Sequence, residues 1–349
     1  IDTNYSVDFK TRYAYKSLTK SEQTFYANLV YAISNLHAVC PVPDDLTTDD
    51  KIKVYGLVYT QEPQLFWMSS AINPTSYQIR LQYIMTDVKA IQKAQDKIDA
   101  QAEKIMEKVN AAKSTYNKIK IIHDFVVFST DFEKTGDGFG NGIYNSMLGA
   151  GGTQCSGYAK TFQYLSDLAG LDSMVITGVN PADASHAWNK VYCEDGYYNI
   201  DCTWDDPSNE HDGSYIRYVF FLVPDSWIKN SHLNPCTITR SNGKVITSFT
   251  APKATKTTYN YFNVTKKTYS SLTTAKKAMY AEFDAAIKAG KNTVHIRVTD
   301  KDIYDTLMSD KYGKTFLSYC KENKNVKSVA RQRRYMEGTY VVQYDITYK

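Results

Sequence analysis

Apolar residues recur along this chain first at helical spacing, then in alternation, then at helical spacing again. Phe25, Leu29, Ile33 and Leu36 share one helical face, so residues 20–38 are expected to form an amphipathic helix. Thr19 is its expected cap, because Glu22 three residues on completes a capping box. Between Lys51 and Met85 the pieces Ile52-Lys-Val-Tyr-Gly-Leu-Val-Tyr59 and Gln64-Leu-Phe-Trp67 are broken by Pro63 and Pro74 and read as short strands or turns. From Thr86 to about Lys113 the chain is rich in Ala, Gln, Lys and Glu, with Val88, Ile91, Ile98, Ile105 and Val109 recurring, which predicts one long helix. A further helix is expected from Thr115 to about Ser129.

In the middle of the chain Ala159, Phe162, Leu165 and Leu168 continue a helical period from Cys155, and Gly170 stands where a left-handed cap ends such a helix. Cys155 is therefore placed at a helix N-terminus. Three runs follow that alternate or are apolar throughout: Ser173-Met-Val-Ile-Thr-Gly-Val179, Ser185-His-Ala-Trp-Asn-Lys-Val-Tyr192 and Tyr197-Tyr-Asn-Ile-Asp-Cys-Thr203. They predict strands, the last two joined into an antiparallel hairpin at Asp195-Gly196. Near Thr250 the composition shifts to Lys, Thr and Tyr, and a new block begins. It predicts a helix from Leu272 to Ala289 closed by Gly290, a strand from Thr293 to Val298, a helix from Asp300 to Cys320, and a hairpin from Val326 to Tyr348 turning at Glu337-Gly338. The expected organisation is an α+β protein with a mostly helical region at 1–114, a central domain at 115–249, a linker at 250–265 and a small αβαββ domain at 266–349.

Composition narrows the classes of function. Lys plus Arg number 41 against 37 Asp plus Glu, and a net charge of +4 over 349 residues does not specify a nucleic-acid partner. No run of 18 or more apolar residues is present, so no spanning helix is expected. The chain opens at Ile1, and its 29 tyrosines together with frequent Thr, Asn and Ser suit an exported bacterial surface protein whose export signal has been removed. Cys40, Cys155, Cys193, Cys202, Cys236 and Cys320 contain no CxxC pair and no Cys/His cluster, which argues against structural zinc. Setting Cys155 aside as a catalytic thiol, the other five allow up to two disulfides, with the pairing open. No acidic cluster has calcium-loop spacing, so no metal and no cofactor are expected.

A helix N-terminus and a neighbouring imidazolium favour the thiolate form of a cysteine, the form that attacks a carbonyl. Gly151 and Gly152 let the backbone bend ahead of Cys155, and Gly157 allows close approach. Amides freed at the helix start suit a developing oxyanion, with the Gln154 side chain as an added donor. His186 begins one strand of the hairpin and Asp201 ends the other, so the turn brings them to one edge; Asp201 then fixes the imidazole tautomer while the ring faces Cys155. Trp188, on the same strand face as His186, is expected to line the acyl site.

These residues sit in blocks that resemble the three signatures of transglutaminase-like proteins: Cys155-Ser-Gly-Tyr-Ala, His186-Ala-Trp-Asn and Ile200-Asp-Cys-Thr-Trp-Asp-Asp206. The Ile121-Ile-His-Asp-Phe125 helix resembles the helix before the catalytic one, so the likeness covers about residues 115–225 and leaves the flanks unmatched. The resemblance implies a papain-like core, with Cys155 as nucleophile, His186 as base and Asp201 orienting it. It implies attack on a protein or peptide amide, with a thioester passed to an amine or to water. Cys202 departs from the family, which usually has proline there, and is expected to pack as a small apolar residue. The rival reading is a catalytically silent scaffold that holds a cell-surface partner.

Taken singly, each residue has a plainer explanation: a buried small cysteine, a packed histidine, core aromatics at Trp188, Trp204 and Phe66-Trp67. Asp205 and Asp206 are expected to be structural, and His123 packed or capping. His37, His211, His232 and His295 belong to no motif, and Arg331, Arg333 and Arg334 are expected on a solvated strand face.

Overall fold

The computed structural model describes residues 1–74, 77–133, 138–207, 216–333 and 337–349. The chain divides into two compact units, Ile1–Thr203 with His232–Ala254, and Trp204–Ser231 with Thr255–Lys349. His211 and Arg334 lie outside the described residues.

The first unit begins with α1 (Tyr13–Lys16), α2 (Lys20–Ser34), β1 (Val39–Pro41), α3 (Thr48–Gln61), β2 (Gln78–Arg80), α4 (Val88–Ala111) and α5 (Thr115–Ser129). The expected capping box opens α2, with Thr19 accepting from the Glu22 amide and Glu22 accepting from the Thr19 amide. The expectation of strands or turns at 52–59 is corrected, because these residues lie inside α3. A second capping box, Thr47 with Asp50, starts this helix, and Val54, Tyr55, Leu57, Val58 and Gln61 bury one face of it. That burial outweighs the strand preference of its valines and tyrosines, which is worth only a few tenths of a kcal/mol per residue. Phe66 and Trp67 are core residues, and the Trp67 indole donates to the Ile33 carbonyl at 3.0 Å.

Next come α6 (Ile143–Leu148) and α7 (Cys155–Leu168), then the antiparallel sheet of β3 (Ser173–Val179), β4 (Ser185–Cys193) and β5 (Gly196–Ile200), in that spatial order. Helix α7 is buried along most of its length and packs on the sheet through Ala159 against Val175 and Ala187. Gly170, at φ +66°, ends the helical turn as anticipated. This is the expected α+β arrangement, a helix with an N-terminal cysteine lying on an antiparallel sheet. The β4–β5 hairpin turns at Glu194-Asp195, and its register pairs Cys193 with Gly196 and Asn189 with Ile200. The chain leaves this unit in α8 (Cys202–Asp205) and returns at His232, where β6 (Thr237–Thr239) and β7 (Val245–Thr247) form a second hairpin.

The second unit holds α9 (Asp225–Ile228), α10 (Tyr261–Val264), β8 (Thr268–Tyr269), α11 (Leu272–Ala289), β9 (Thr293–Val298), α12 (Lys301–Leu307), α13 (Asp310–Lys321), β10 (Val326–Arg331) and β11 (Val341–Tyr348). Its sheet runs β10-β11-β9-β8, with β8 parallel to β9. The single helix expected at 300–320 is two helices, because Ser309 caps a new start by accepting from the Tyr312 amide. Arg331 is also corrected: its guanidinium is mostly buried and donates to the Met308 and Ser309 carbonyls and to Asp310, while Arg333 is exposed. Trp204 packs on Phe220, and Asp205 is buried with its carboxylate accepting from the Phe220 amide at 2.9 Å.

The far end of α7 is held by a buried ionic cluster. Arg12 donates to Glu62 at 2.8 Å and to Asp167 at 3.0 Å, and the Tyr5 hydroxyl bonds Asp167 at 2.5 Å. Removing the cation leaves two buried carboxylates facing each other, which costs far more than the intact pairs contribute. Arg12→Ala is expected to destabilise the first unit by about 3–5 kcal/mol in urea unfolding; a loss below about 1 kcal/mol would place the cluster among surface-type ion pairs.

Candidate active site

The start of α7 is fixed by backbone on both sides. Gln154 is the cap: its amide donates to the Gly140 carbonyl at 2.8 Å, and its carbonyl accepts from the Gly157 and Tyr158 amides at 2.9 and 3.1 Å. Before it, Thr153 bonds Asp131 and Glu133 and forms a parallel bridge with Phe132, and the Asn145 side chain donates to the Gly152 carbonyl. Gly157 is required at this crossing, because a Cβ there would stand 2.5 Å from the Gly140 carbonyl oxygen and 2.4 Å from the Thr153 methyl. The amides of Cys155 and Ser156 have no acceptor within the helix, so the positive end of its dipole lies at the cysteine.

Cys155 is half-buried, whereas Cys40, Cys193, Cys202, Cys236 and Cys320 are buried, and none of the six is in a disulfide. Neither disulfide that the count allowed is formed, and Cys202 packs as expected. Burial pushes the Cys40 and Cys320 thiols up to about 12, and burial followed by the Glu194 and Asp195 charges does the same to Cys193.

The hairpin register brings the start of β4 opposite the end of β5. His186 Nε2 donates to Asp201 Oδ2 at 2.6 Å, with both side chains almost fully buried. Cys155 interacts with the same ring, and because Nε2 is held by Asp201, Nδ1 is the nitrogen left for the thiol. Burial pulls the His186 imidazole down, but the charge and hydrogen bond of Asp201, helped by Cys155, outweigh it and push it up to about 10. Burial alone would raise Asp201; the His186 charge and the bonds from His186 and His232 instead hold it well below the usual carboxylate range. The structure places Cys155, His186 and Asp201 beside one another.

The structure adds a residue that the sequence pattern left without a role. His232 Nε2 also donates to Asp201 Oδ2, at 2.9 Å. Burial, opposed by Asp201 and reinforced by the His186 charge, lowers its pKa, so this ring is neutral. One sequence signal pointed toward it, a glycine inside a strand, which marks a close backbone approach. A Cβ on Gly178 would stand 2.4 Å from the Leu233 carbonyl oxygen, the residue after His232.

Trp188 is buried, stacks on His186 with centroids 5.9 Å apart and donates from its indole to Asn199 at 3.2 Å. It packs against the imidazole from the protein interior. Gln154 sits half-buried beside Cys155, with no side-chain bond to the helix start. Among the described residues, His186, Asp201 and His232 bring three potential metal donors within 4.8 Å of one another. Asp201 Oδ2 already accepts from both rings, so an ion there would have to displace the bonds that hold the site.

Residues 100–202 match the family model of the transglutaminase-like superfamily. The chain carries a transglutaminase-like domain. The matched stretch contains Cys155, His186 and Asp201 and ends before His232. Solved structures similar to it include a TGase, 20% identical over 37% of this chain and 36% of that one, with a TM-score of 0.30. The periplasmic domain of TgpA from Pseudomonas aeruginosa, bound to ethylmercury, is 19% identical over 31% of this chain and 44% of that one, with a TM-score of 0.24. A candidate cysteine protease from Cytophaga hutchinsonii is 13% identical over 43% and 47%, with a TM-score of 0.27. The chain spans less than half the length of each of these proteins. No curated protein sequence matches it. Among the described residues no helix is long and apolar enough to cross a membrane.

His186 and Asp201 make stability pH-dependent in opposite directions. The raised His186 contributes stability that is complete below about 6.5 and is lost as pH rises toward about 10. The depressed Asp201 contributes stability that is present above about 3.9 and is lost as pH falls below it. Urea midpoints followed across this range should fall on the alkaline side more steeply in the wild type than in His186→Ala; parallel curves would show that the pair contributes no linked stability.

Proposed function

We propose that this transglutaminase-like domain is a thiol acyltransferase acting on protein or peptide amides. The observation that carries this reading is the line from Asp201 through His186 to the thiol of Cys155, with 2.6 Å between Nε2 and Oδ2. Cys155 Sγ attacks the amide carbonyl carbon. The oxyanion that forms is met by the Cys155 amide and the Gln154 side chain. His186 gives a proton to the departing amine as the C–N bond breaks, leaving a thioester on Cys155. Water or a primary amine then attacks the thioester and returns the thiol, so the domain is a cysteine peptidase or amidase in the first case and a transglutaminase in the second. Export to the cell surface is the compartment we assign, from the Tyr-rich, Thr/Asn/Ser-rich composition.

Labelling with iodoacetamide tests the reading cleanly, because the other five cysteines are buried. An ordinary thiol, of pKa about 8.5, is only about one percent thiolate at pH 6.5. Cys155 is expected to label rapidly from pH 5 to 8, measured by peptide mass spectrometry, and His186→Ala to lose about a hundredfold near pH 6.5. On an amide substrate the same change is expected to cost about 10²–10⁴ in turnover, with incorporation of a labelled amine separating transfer from hydrolysis. Labelling that follows an ordinary thiol in both proteins would sink the enzyme reading in favour of the scaffold.

A further inference from the structure

We infer that His232 is a positioning residue for this site: a neutral second imidazole that fixes the Asp201 carboxylate and takes a share of its charge from His186. The inference rests on the reading of Cys155, His186 and Asp201 as the reacting set. Its basis is geometric. One carboxylate oxygen, Asp201 Oδ2, accepts from His186 at 2.6 Å and from His232 at 2.9 Å, and the two rings arrive on separate stretches of chain. Two donors from different directions converge on that oxygen and oppose its swing about the Cβ–Cγ bond.

The second ring is itself held in place. Leu233 exchanges two backbone bonds with Val179, of 2.8 and 2.9 Å, and Gly178 lacks the Cβ that would push this segment away. The ring meets Trp188 edge-on at 4.9 Å and His186 at 5.4 Å. Its side chain has no exposed surface, and the titratable groups facing it are Asp201 and His186. A neutral ring donates without adding a charge, so Asp201 remains an anion while part of its acceptor strength is spent on His232. Asp201 therefore holds the His186 proton less tightly than it would alone, and the imidazolium remains able to release that proton in turnover.

The measurement is the titration of the His186 ring, read from its ring-nitrogen resonances, in wild type, His232→Gln and His232→Phe. Glutamine keeps an N–H donor at the position of Nε2; phenylalanine keeps a ring beside Trp188 and removes the donor, and His232→Leu removes it with a smaller side chain should phenylalanine prevent folding. The expected result is a His186 midpoint raised by about one pH unit or more without the donor, the scale of one hydrogen bond to a charged group, and restored by glutamine. The alkaline limb of Cys155 labelling should move with it. An unchanged midpoint in the donor-less variant, or equal shifts with glutamine and phenylalanine, would overturn the inference and leave His232 as packing. Repeated in Cys155→Ala, where the thiol no longer acts on the ring, the titration decides the role of His232 even if wild-type Cys155 labels as an ordinary thiol and the enzyme reading fails.

Discussion

The site depends on one buried negative charge. An ionised carboxylate taken out of water persists only where donors replace its lost hydration, and Asp201 has the imidazoles of His186 and His232 on a single oxygen. Much of the first unit can be understood as what that requirement demands. The β4–β5 hairpin sets His186 across from Asp201, the Val179–Leu233 bridge delivers His232, and Gly178 leaves room for that bridge to form. Trp188 fills the space beneath both rings. Each ring is held by Asp201 on one side and by aromatic packing on the other.

The thiol is fixed by a different means. Helix α7 is restrained at both ends, by the backbone of residues 140–142 crossing over Gly157 and by Arg12 gripping Asp167 in the last turn. Between these points the helix is buried on nearly every side, so its first residue has little freedom in direction. The exposure of the cysteines follows the same division: the thiol at the helix start reaches partial solvent, while the others are sealed and pushed toward the protonated form where burial is strongest. The partial exposure of one cysteine among six is thus a product of packing as much as of the local motif.

What the sequence determined by itself was local. Helix starts with capping boxes, the cysteine helix with its terminal glycine, the paired strands that carry His186 and end just before Asp201, and the order of elements in the C-terminal block are all written in spacings of a few residues, where 3.6-residue and two-residue periods and turn chemistry act directly. The helix at 48–61 was decided by burial, since its valines and tyrosines favour a strand until a packed face outweighs that preference. The break at Met308-Ser309 and the burial of Arg331 were likewise decided by neighbours distant in the chain. His232 is the sharpest case. It follows a long excursion of the chain through the second unit, belongs to no motif, and reaches Asp201 only through a backbone bridge between residues more than fifty positions apart. A contact of that separation leaves no period in the sequence, only the glycine that makes room for it, because its energy depends on which surfaces the finished fold brings together.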